Sequence, residues 1–235
     1  MELKNKVILV TGASDGLGKQ ISLKLAKEKV SLVLIGRNQE KLEKVKNESK
    51  KLGSKKVEYY TCDIRKSSEL KETVEKIKKD FGQVDILINN AGIWQKLSPA
   101  ENIDNETVED VIKTNLVGQI ELTNLVLPVL KKQKEAAIIN IISKSGVVAQ
   151  DGQSVYTASK FGMRGFSEVL KVELEESNVR VANVCQSGTN TEMFAKTGEK
   201  VPNEMFTNPA DLADVVVFML SRPEKIWLHE VWVKF

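Results

Sequence analysis

Short runs of β-branched and aliphatic residues alternate with amphipathic helical stretches along all 235 residues of the chain. The strand segments fall at 6–11, 31–36, 57–62, 84–89, 136–142, 179–185 and 226–233. Several are apolar nearly throughout, among them Val7-Ile8-Leu9-Val10, Leu32-Val33-Leu34-Ile35 and Ile138-Ile139-Asn140-Ile141-Ile142. A strand with one wet face alternates polar and apolar residues, whereas a strand apolar at every position is covered on both faces. The intervening stretches carry the covering surfaces. Leu70, Val74, Ile77 and Phe81 share one helical face in 67–81, as do Leu42, Val45 and Leu52 in 39–52. Longer helical patterns run over 104–130 and 154–176, the second with Phe166, Val169, Leu170 and Leu174. Ser67-Ser68-Glu69 and Asn208-Pro209-Ala210-Asp211 read as helix starts. This alternation implies an α/β fold, a doubly wound parallel sheet of about seven strands with helices on both faces. No repeat or linker divides it, so 1–235 reads as a single domain, long enough to bury a core without a disulfide or metal.

Composition removes several functions. With 35 Lys plus Arg against 32 Asp plus Glu, the net charge of +3 gives no basic face for nucleic acid. Lys50, Lys51, Lys55 and Lys56 read as a solvated helix end and turn. Cys62 and Cys185 form neither a disulfide framework nor a C-x-x-C pair. The single histidine, His229, leaves no second imidazole for zinc, and the His229-Glu230-Val231-Trp232-Val233 stretch is not H-E-x-x-H, so no metal is expected. A Ser-His-Asp hydrolase would have to depend on that same residue in the last strand. The start of the chain has no secretory apolar region, and Val215 to Leu220 falls far short of the ~20 residues that span a bilayer. The expectation is a cytoplasmic protein with no membrane partner.

The segment 186–208 breaks the regular spacing. It is polar, carries Gly188, Gly198 and Pro202, and is interrupted by Met193-Phe194 and Met205-Phe206. It reads as a mobile surface loop or, more sharply, as a lid whose apolar pairs close over a ligand.

After the first strand comes Thr11-Gly12-Ala13-Ser14-Asp15-Gly16-Leu17-Gly18, leading into a helix through Ile21 and Leu25. Glycines there let the backbone turn tightly and approach a pyrophosphate, and the helix N-terminus adds free N–H groups and a positive dipole end. A P-loop does not fit, because Ala13 and Gln20 stand where that motif needs Gly and Ser or Thr. Alone, the loop also reads as a turn that merely joins strand to helix. At the end of the second strand, Gly36 leaves open the place where an NAD-specific site puts a carboxylate. Arg37 follows, either to grip a 2′-phosphate or as one more solvated charge. Asp15 opposes a phosphate unless it turns to solvent.

Tyr156 and Lys160 are four apart on a helical pattern and share a face. An ammonium near a phenol favours the phenolate, and lowering a pKa of ~10 by three units takes about 4 kcal/mol. Such a tyrosine serves as a general acid/base near neutral pH. Lysine is so frequent here that the pair also arises readily by chance; position adds to it. Ser143 ends the strand Ile138–Ile142, Asn115 lies inside a long helical pattern, and Asn89-Asn90-Ala91-Gly92 closes the fourth strand. All would converge at the carboxyl ends of a parallel sheet, where such proteins bind ligands. Ser143 as a strand cap and Asn115 as a satisfied buried amide are the alternatives.

In combination these residues resemble the short-chain dehydrogenases/reductases, over about 4–233 and in the family's order. Thr11-Gly12-x-x-x-Gly16-x-Gly18 looks like its cofactor loop, Asp63 like its adenine-contacting acid, and Asn89-Asn90-Ala91-Gly92 like its fourth-strand signature. Asn115, Ser143, Tyr156 and Lys160 match its catalytic tetrad in type and spacing. The resemblance implies a Rossmann-like fold and a site for NADP(H), with Arg37 on the 2′-phosphate. It implies further cofactor contacts from Gly12, Ser14, Asp15, Gly16, Leu17, Gly18, Asp63, Ile64, Asn90, Ala91, Gly92, Tyr156, Lys160, Gly188, Thr189 and Thr191. By the same resemblance, Tyr156 exchanges a proton with the substrate oxygen, which Ser143 also binds. Lys160 lowers the Tyr156 pKa and holds the nicotinamide ribose, and Asn115 positions a relay water.

Two features depart from the family pattern. Ser187-Gly188 replaces the usual Pro-Gly, which bears on the path of the lid, and the Asp-Gly-Gly ending is missing. The tail Ile226–Val233 resembles instead the branch of NADP-dependent 3-hydroxy acid (serine) dehydrogenases and related ketone reductases. The function implied is hydride transfer between NADP(H) and a ketone or secondary alcohol, in a homodimer or homotetramer. A catalytically idle NADP(H) sensor or scaffold is the alternative, with a dehydratase or epimerase as a lesser rival. Residues 93–98, Lys144 to Ser154 and 186–206 are expected to line the substrate pocket.

Overall fold

The structure, a computed structural model, describes residues 1–199, 205–223 and 225–234. Its strands are β1 (Val7–Thr11), β2 (Ser31–Gly36), β3 (Lys56–Thr61), β4 (Ile86–Asn89), β5 (Ala136–Ile141), β6 (Val179–Gln186) and β7 (Glu230–Val233). Its α-helices are α1 (Gly16–Ala26), α2 (Gln39–Lys51), α3 (Ser67–Phe81), α4 (Asn105–Ile112), α5 (Gly118–Leu130), α6 (Ser154–Glu173) and α7 (Pro209–Leu220). The strands form one sheet in the order β3-β2-β1-β4-β5-β6-β7, every pair parallel. This is the seven-stranded, Rossmann-like sheet that the apolar strands imply. Among the described residues no helix is long and apolar enough to cross a membrane, and both cysteines are free and buried.

Each central strand feeds both faces by simple alternation. Ile8 and Val10 of β1, with Leu32 and Leu34 of β2, pack under Ile21 and Leu25 of α1 and Val216 of α7. Val7 and Leu9, with Val33 and Ile35, pack on the other side under Val74 of α3, Leu122 of α5 and Leu170 of α6. Asn208 caps α7 by accepting from Ala210 N at 2.9 Å, with Pro209 in the first turn. The N-cap position of α3 is Lys66, which makes no side-chain cap bond, and Glu69 reaches back to Asp63 N at 2.9 Å.

Two boundaries differ most from the sequence reading. The stretch 104–130 is not one helix: Lys113–Val117 forms a π-helical turn between α4 and α5. Just past the turn the backbone runs close to a neighbour, for a Cβ on Gly118 would lie 2.3 Å from the Ile64 carbonyl oxygen. The last strand begins at Glu230 rather than 226, because the Trp227 indole N–H takes the Val181 carbonyl (3.0 Å) in place of a backbone ladder bond. Of the expected lid, 200–204 with Pro202 lie outside the described residues.

A polar chain crosses the sheet inside this apolar frame. Asn89, Asn140, Asn183 and Glu230 stand directly opposite one another on β4, β5, β6 and β7. Asn89 Nδ2 donates to Asn140 Oδ1 (2.9 Å), and Asn140 Nδ2 donates to Ser167 Oγ (2.9 Å). Ser167 Oγ donates to Asn183 Oδ1 (2.6 Å), and Asn183 Nδ2 to Glu230 Oε2 (3.2 Å), itself paired with Arg164. A register slip of one residue would turn every one of these amides to the wrong face. Replacing Asn140, which has no exposed surface, by Leu keeps the bulk but strands its partners. A loss of roughly 2–4 kcal/mol is expected, read as a lower urea midpoint at unchanged slope.

Candidate active site

The sheet order reverses between β1 and β4, and open α/β sheets bind ligands at such a crevice. Thr11 joins the two strand ends. Its Oγ1 accepts from Asn90 N (2.9 Å) and Ala91 N (3.0 Å), while Asn90 Nδ2 donates to the Thr11 carbonyl (2.9 Å). The glycine loop rests on this seam. Gly12 and Gly16 have φ of +63° and +51°, a region that L side chains rarely adopt. A Cβ on Gly18 would lie 2.2 Å from the Gly12 carbonyl oxygen, so Gly18 is required by close approach alone. Leu17 is buried behind the loop. Thr191 reaches the loop from the far side, its Cγ2 3.1 Å from where a Gly16 Cβ would sit. Between them opens a cavity of about 510 Å³ lined by Asp15, Gly16, Asn190, Thr191, Phe194 and Glu199.

Asp15, a caution against a 2′-phosphate unless it turned to solvent, is held by partners instead. It caps α1 by accepting from Gly16 N (2.8 Å) and pairs with Lys41 (2.5 Å), with Lys196 at 3.7 Å. Its carboxyl is held below its ordinary value by the Lys41 and Gly16 bonds, which outweigh its partial burial. Gly36 lies against Ser14, whose Oγ is 3.3 Å from a Gly36 Cβ position. Arg37 is exposed and borders a second hollow of about 790 Å³ with Asn38 and Tyr59. Asp63 is engaged by Arg65, which also reaches Asp110 at 2.6 Å, and the Arg65 bond holds the Asp63 carboxyl below its ordinary range. Ile64 is buried. Gly188 lies against the Phe206 ring, 2.3 Å from the Gly188 Cβ position, and Thr189 bridges to Thr207.

The four polar residues singled out in sequence gather at the next strand ends. Ser143 lies just past β5, and its Oγ accepts from Ser145 N (3.1 Å). Ser143 also acts on the Tyr156 phenol, pulling its pKa down. Lys160 lies one turn along α6, its Nζ donating to the Ile141 carbonyl (3.0 Å), 5.8 Å from the Tyr156 ring centre. Asn115, in the π-helical turn, accepts from Ile93 N (2.8 Å) and donates to Ile93 O (3.0 Å) and Ser159 Oγ (3.2 Å). Gly92 sits where these meet: a Cβ there would be 3.3 Å from Asn115 Oδ1 and 3.7 Å from Lys160 Nζ.

A family model described as short chain dehydrogenase matches residues 6–202. The chain belongs to the short-chain dehydrogenase family. A 3-oxoacyl-(acyl-carrier-protein) reductase of Thermotoga maritima is 33% identical over 229 residues, covering 94% of this chain and 92% of the relative. An alcohol dehydrogenase of the archaeon Thermococcus sibiricus, solved with 5-hydroxy-NADP, superposes with a TM-score of 0.90 at 25% identity, covering 98% and 96% of the two chains. A closed form of serine dehydrogenase with NADP+ gives 0.89 at 27% identity, covering 97% and 94%.

Trp94 and Gln95 lie in 93–98, and Phe194 and Glu199 in 186–206, segments expected to line the substrate pocket; in this short-chain dehydrogenase they gather around Tyr156. The Trp94 ring meets Tyr156 edge-on at 4.7 Å and Phe194 at 5.0 Å. Glu199 accepts from Trp94 Nε1 (2.5 Å) and Leu97 N (2.7 Å). Gln95, only 1% exposed, hydrogen-bonds the start of α6. All are contacts between distant segments, invisible to local pattern.

The expected drop of the Tyr156 pKa by Lys160 is not what this geometry produces. Tyr156 and Lys160 are 6% and 4% exposed. Burial pushes the Tyr156 phenol up to about 12 against the pull of Ser143, and brings the Lys160 ammonium down to about 8. Desolvation wins because the ammonium is turned to a backbone carbonyl rather than to the phenol oxygen. Lys160 therefore binds its proton less tightly folded, at about 8, than at its ordinary 10.5. The unfolded chain holds more protons in that window, so this group makes stability rise with pH across it. A Lys160→Met variant is expected to be more stable than wild type at neutral pH by roughly 3 kcal/mol. The gap should close toward about pH 10 in urea titrations, and a gap independent of pH would contradict the assignment.

Proposed function

We propose that this chain is an NADP(H)-dependent oxidoreductase that interconverts a ketone and a secondary alcohol, with Tyr156 exchanging the proton. The observation that carries the reading is the gathering of Ser143 just past β5 with buried Tyr156 and Lys160, one turn apart on α6, at the carboxyl edge of the sheet. The glycine loop fits a dinucleotide: positive φ at Gly12 and Gly16 brings bare backbone to the N-terminus of α1, where N–H groups face an anion. The NADP-type ligands of the related alcohol and serine dehydrogenases support the choice of cofactor. Bound NADPH supplies the hydride, and NADP+ accepts it in the reverse direction.

The chain's own residues manage the oxygen. Burial keeps the Tyr156 phenol protonated at neutral pH, so it is a proton donor to a carbonyl oxygen. Ser143, whose Oγ accepts from Ser145 N and keeps its proton, donates to the same oxygen. The buried Lys160 ammonium holds the nicotinamide ribose. Asn115 holds Ile93 against α6 beside Lys160, and its relay role rests on that placement. Exposed Phe161, Val169 and Val172 on α6 suit a self-associating face, in a homodimer or homotetramer.

Tyr156→Phe keeps the ring and removes the proton. We expect kcat to fall at least about 100-fold in a nicotinamide absorbance assay with a panel of ketones, with NADPH affinity nearly unchanged. Tight NADPH binding by the wild type without turnover on any carbonyl would favour an idle sensor. Cofactor choice has its own test. The acid in the glycine loop is balanced by Lys41, so Arg37 meets a 2′-phosphate without net opposition. One charge-assisted bond of about 1.5–3 kcal/mol corresponds to a roughly 10- to 150-fold preference for NADPH over NADH in kcat/KM. Arg37→Ala should remove it, and an unchanged ratio would overturn the assignment.

A further inference from the structure

The N-terminal turn of a helix has N–H groups with no partner inside the helix, and in a buried site they need one from elsewhere. Helix α6 begins at Ser154, so Tyr156 lies in that first turn. The residue at the cap position, Gln153, makes no side-chain cap bond; its Oε1 accepts instead from Ser145 Oγ at 2.8 Å. The cap comes from another segment, 60 residues earlier in the chain. Gln95 Oε1 accepts from Val155 N (3.0 Å) and from Tyr156 N (2.9 Å). Its Nε2 donates to the Gly152 carbonyl (3.1 Å), so the one amide ties down the turn before α6 as well. The preceding residue, Trp94, holds the Tyr156 ring edge-on at 4.7 Å.

We infer that Gln95 is a positioning residue for the reaction, a remote N-cap that fixes the backbone of Tyr156 and so the reach of its phenol toward Ser143. The inference rests on the proposed proton-donor role of Tyr156 and adds a residue to it. Trp94 constrains the ring and Gln95 the main chain, so the loop after β4 sets the tyrosine from both ends. Val155 and Tyr156 amides left without an acceptor would have to find water in a turn where Tyr156 is buried, and the turn would fray or tilt.

Full-length Gln95→Leu, Gln95→Asn and Gln95→Glu separate this from a merely structural role. Leu keeps the bulk without the acceptor, and Asn is too short to bridge both amides. Either should lower kcat about 10- to 100-fold, the cost of a misplaced catalytic group. NADPH affinity should stay within about twofold, because the glycine loop is untouched. Amide hydrogen exchange at Val155 and Tyr156 should accelerate while exchange in β1 and β5 stays as in wild type. Glu retains an acceptor oxygen, favoured at a helix N-terminus, and should recover most of the lost kcat. Wild-type kcat in Leu or Asn overturns the inference. So does a loss matched by equal weakening of NADPH binding, or a Glu variant no better than Leu. If Leu fails to fold, the Asn and Glu pair carries the same comparison. Failure of the tyrosine reading is distinguishable: Tyr156→Phe would then retain turnover, whereas a failed cap leaves Tyr156→Phe inactive and Gln95→Leu active.

Discussion

The polar chain Asn89–Asn140–Ser167–Asn183–Glu230 fixes how four parallel strands end relative to one another. Apolar contacts alone hold a parallel sheet loosely in register, because one aliphatic residue packs much like the next. Amides are less forgiving, since a buried one without its partner costs more than the bond it gains. The strand ends carry the chemistry: Asn90 and Gly92 after β4, Ser143 after β5, and the cavity-lining Asn190 and Thr191 in the segment after β6. Their mutual distances follow from the ladder. Thr11 extends the same logic to β1 by binding both Asn90 and Ala91, which ties the glycine loop to the catalytic side.

Placing Tyr156 and Lys160 under the sheet edge has opposite effects on their protons. Each group resists charging in a dry site, so the phenol holds its proton and the ammonium gives its own up more readily. At neutral pH the phenol is neutral and the lysine still carries charge. A neutral phenol is the state needed to give a proton to a carbonyl oxygen. The oxidative direction asks for the phenolate, which burial opposes and Ser143 alone favours.

Aromatic packing above this pair comes from segments with no sequence relation to it. Trp94 meets Tyr156, Phe194 meets Trp94, and Phe194 lies 5.2 Å from Phe206. The carboxylate of Glu199 ties the same stretch to the Trp94 indole.

Local pattern determined the strands, because a buried parallel strand leaves an unbroken apolar run such as Leu32–Ile35. It determined the glycine loop, because positive φ at Gly12 and Gly16 is a constraint within the backbone itself. The shared face of Tyr156 and Lys160 was equally legible, since helical periodicity puts residues four apart together. The break in 104–130 was not, because the π-helical turn at Lys113–Val117 interrupts one continuous helical pattern. Nor was the start of β7, set by the reach of Trp227 to Val181. Only the tertiary structure decided that Asp15 faces Lys41, that Gln95 caps α6, and that the Tyr156 pKa rises rather than falls. Each of these turns on burial or on a partner far along the chain, and a sequence shows spacing but neither solvent nor distance.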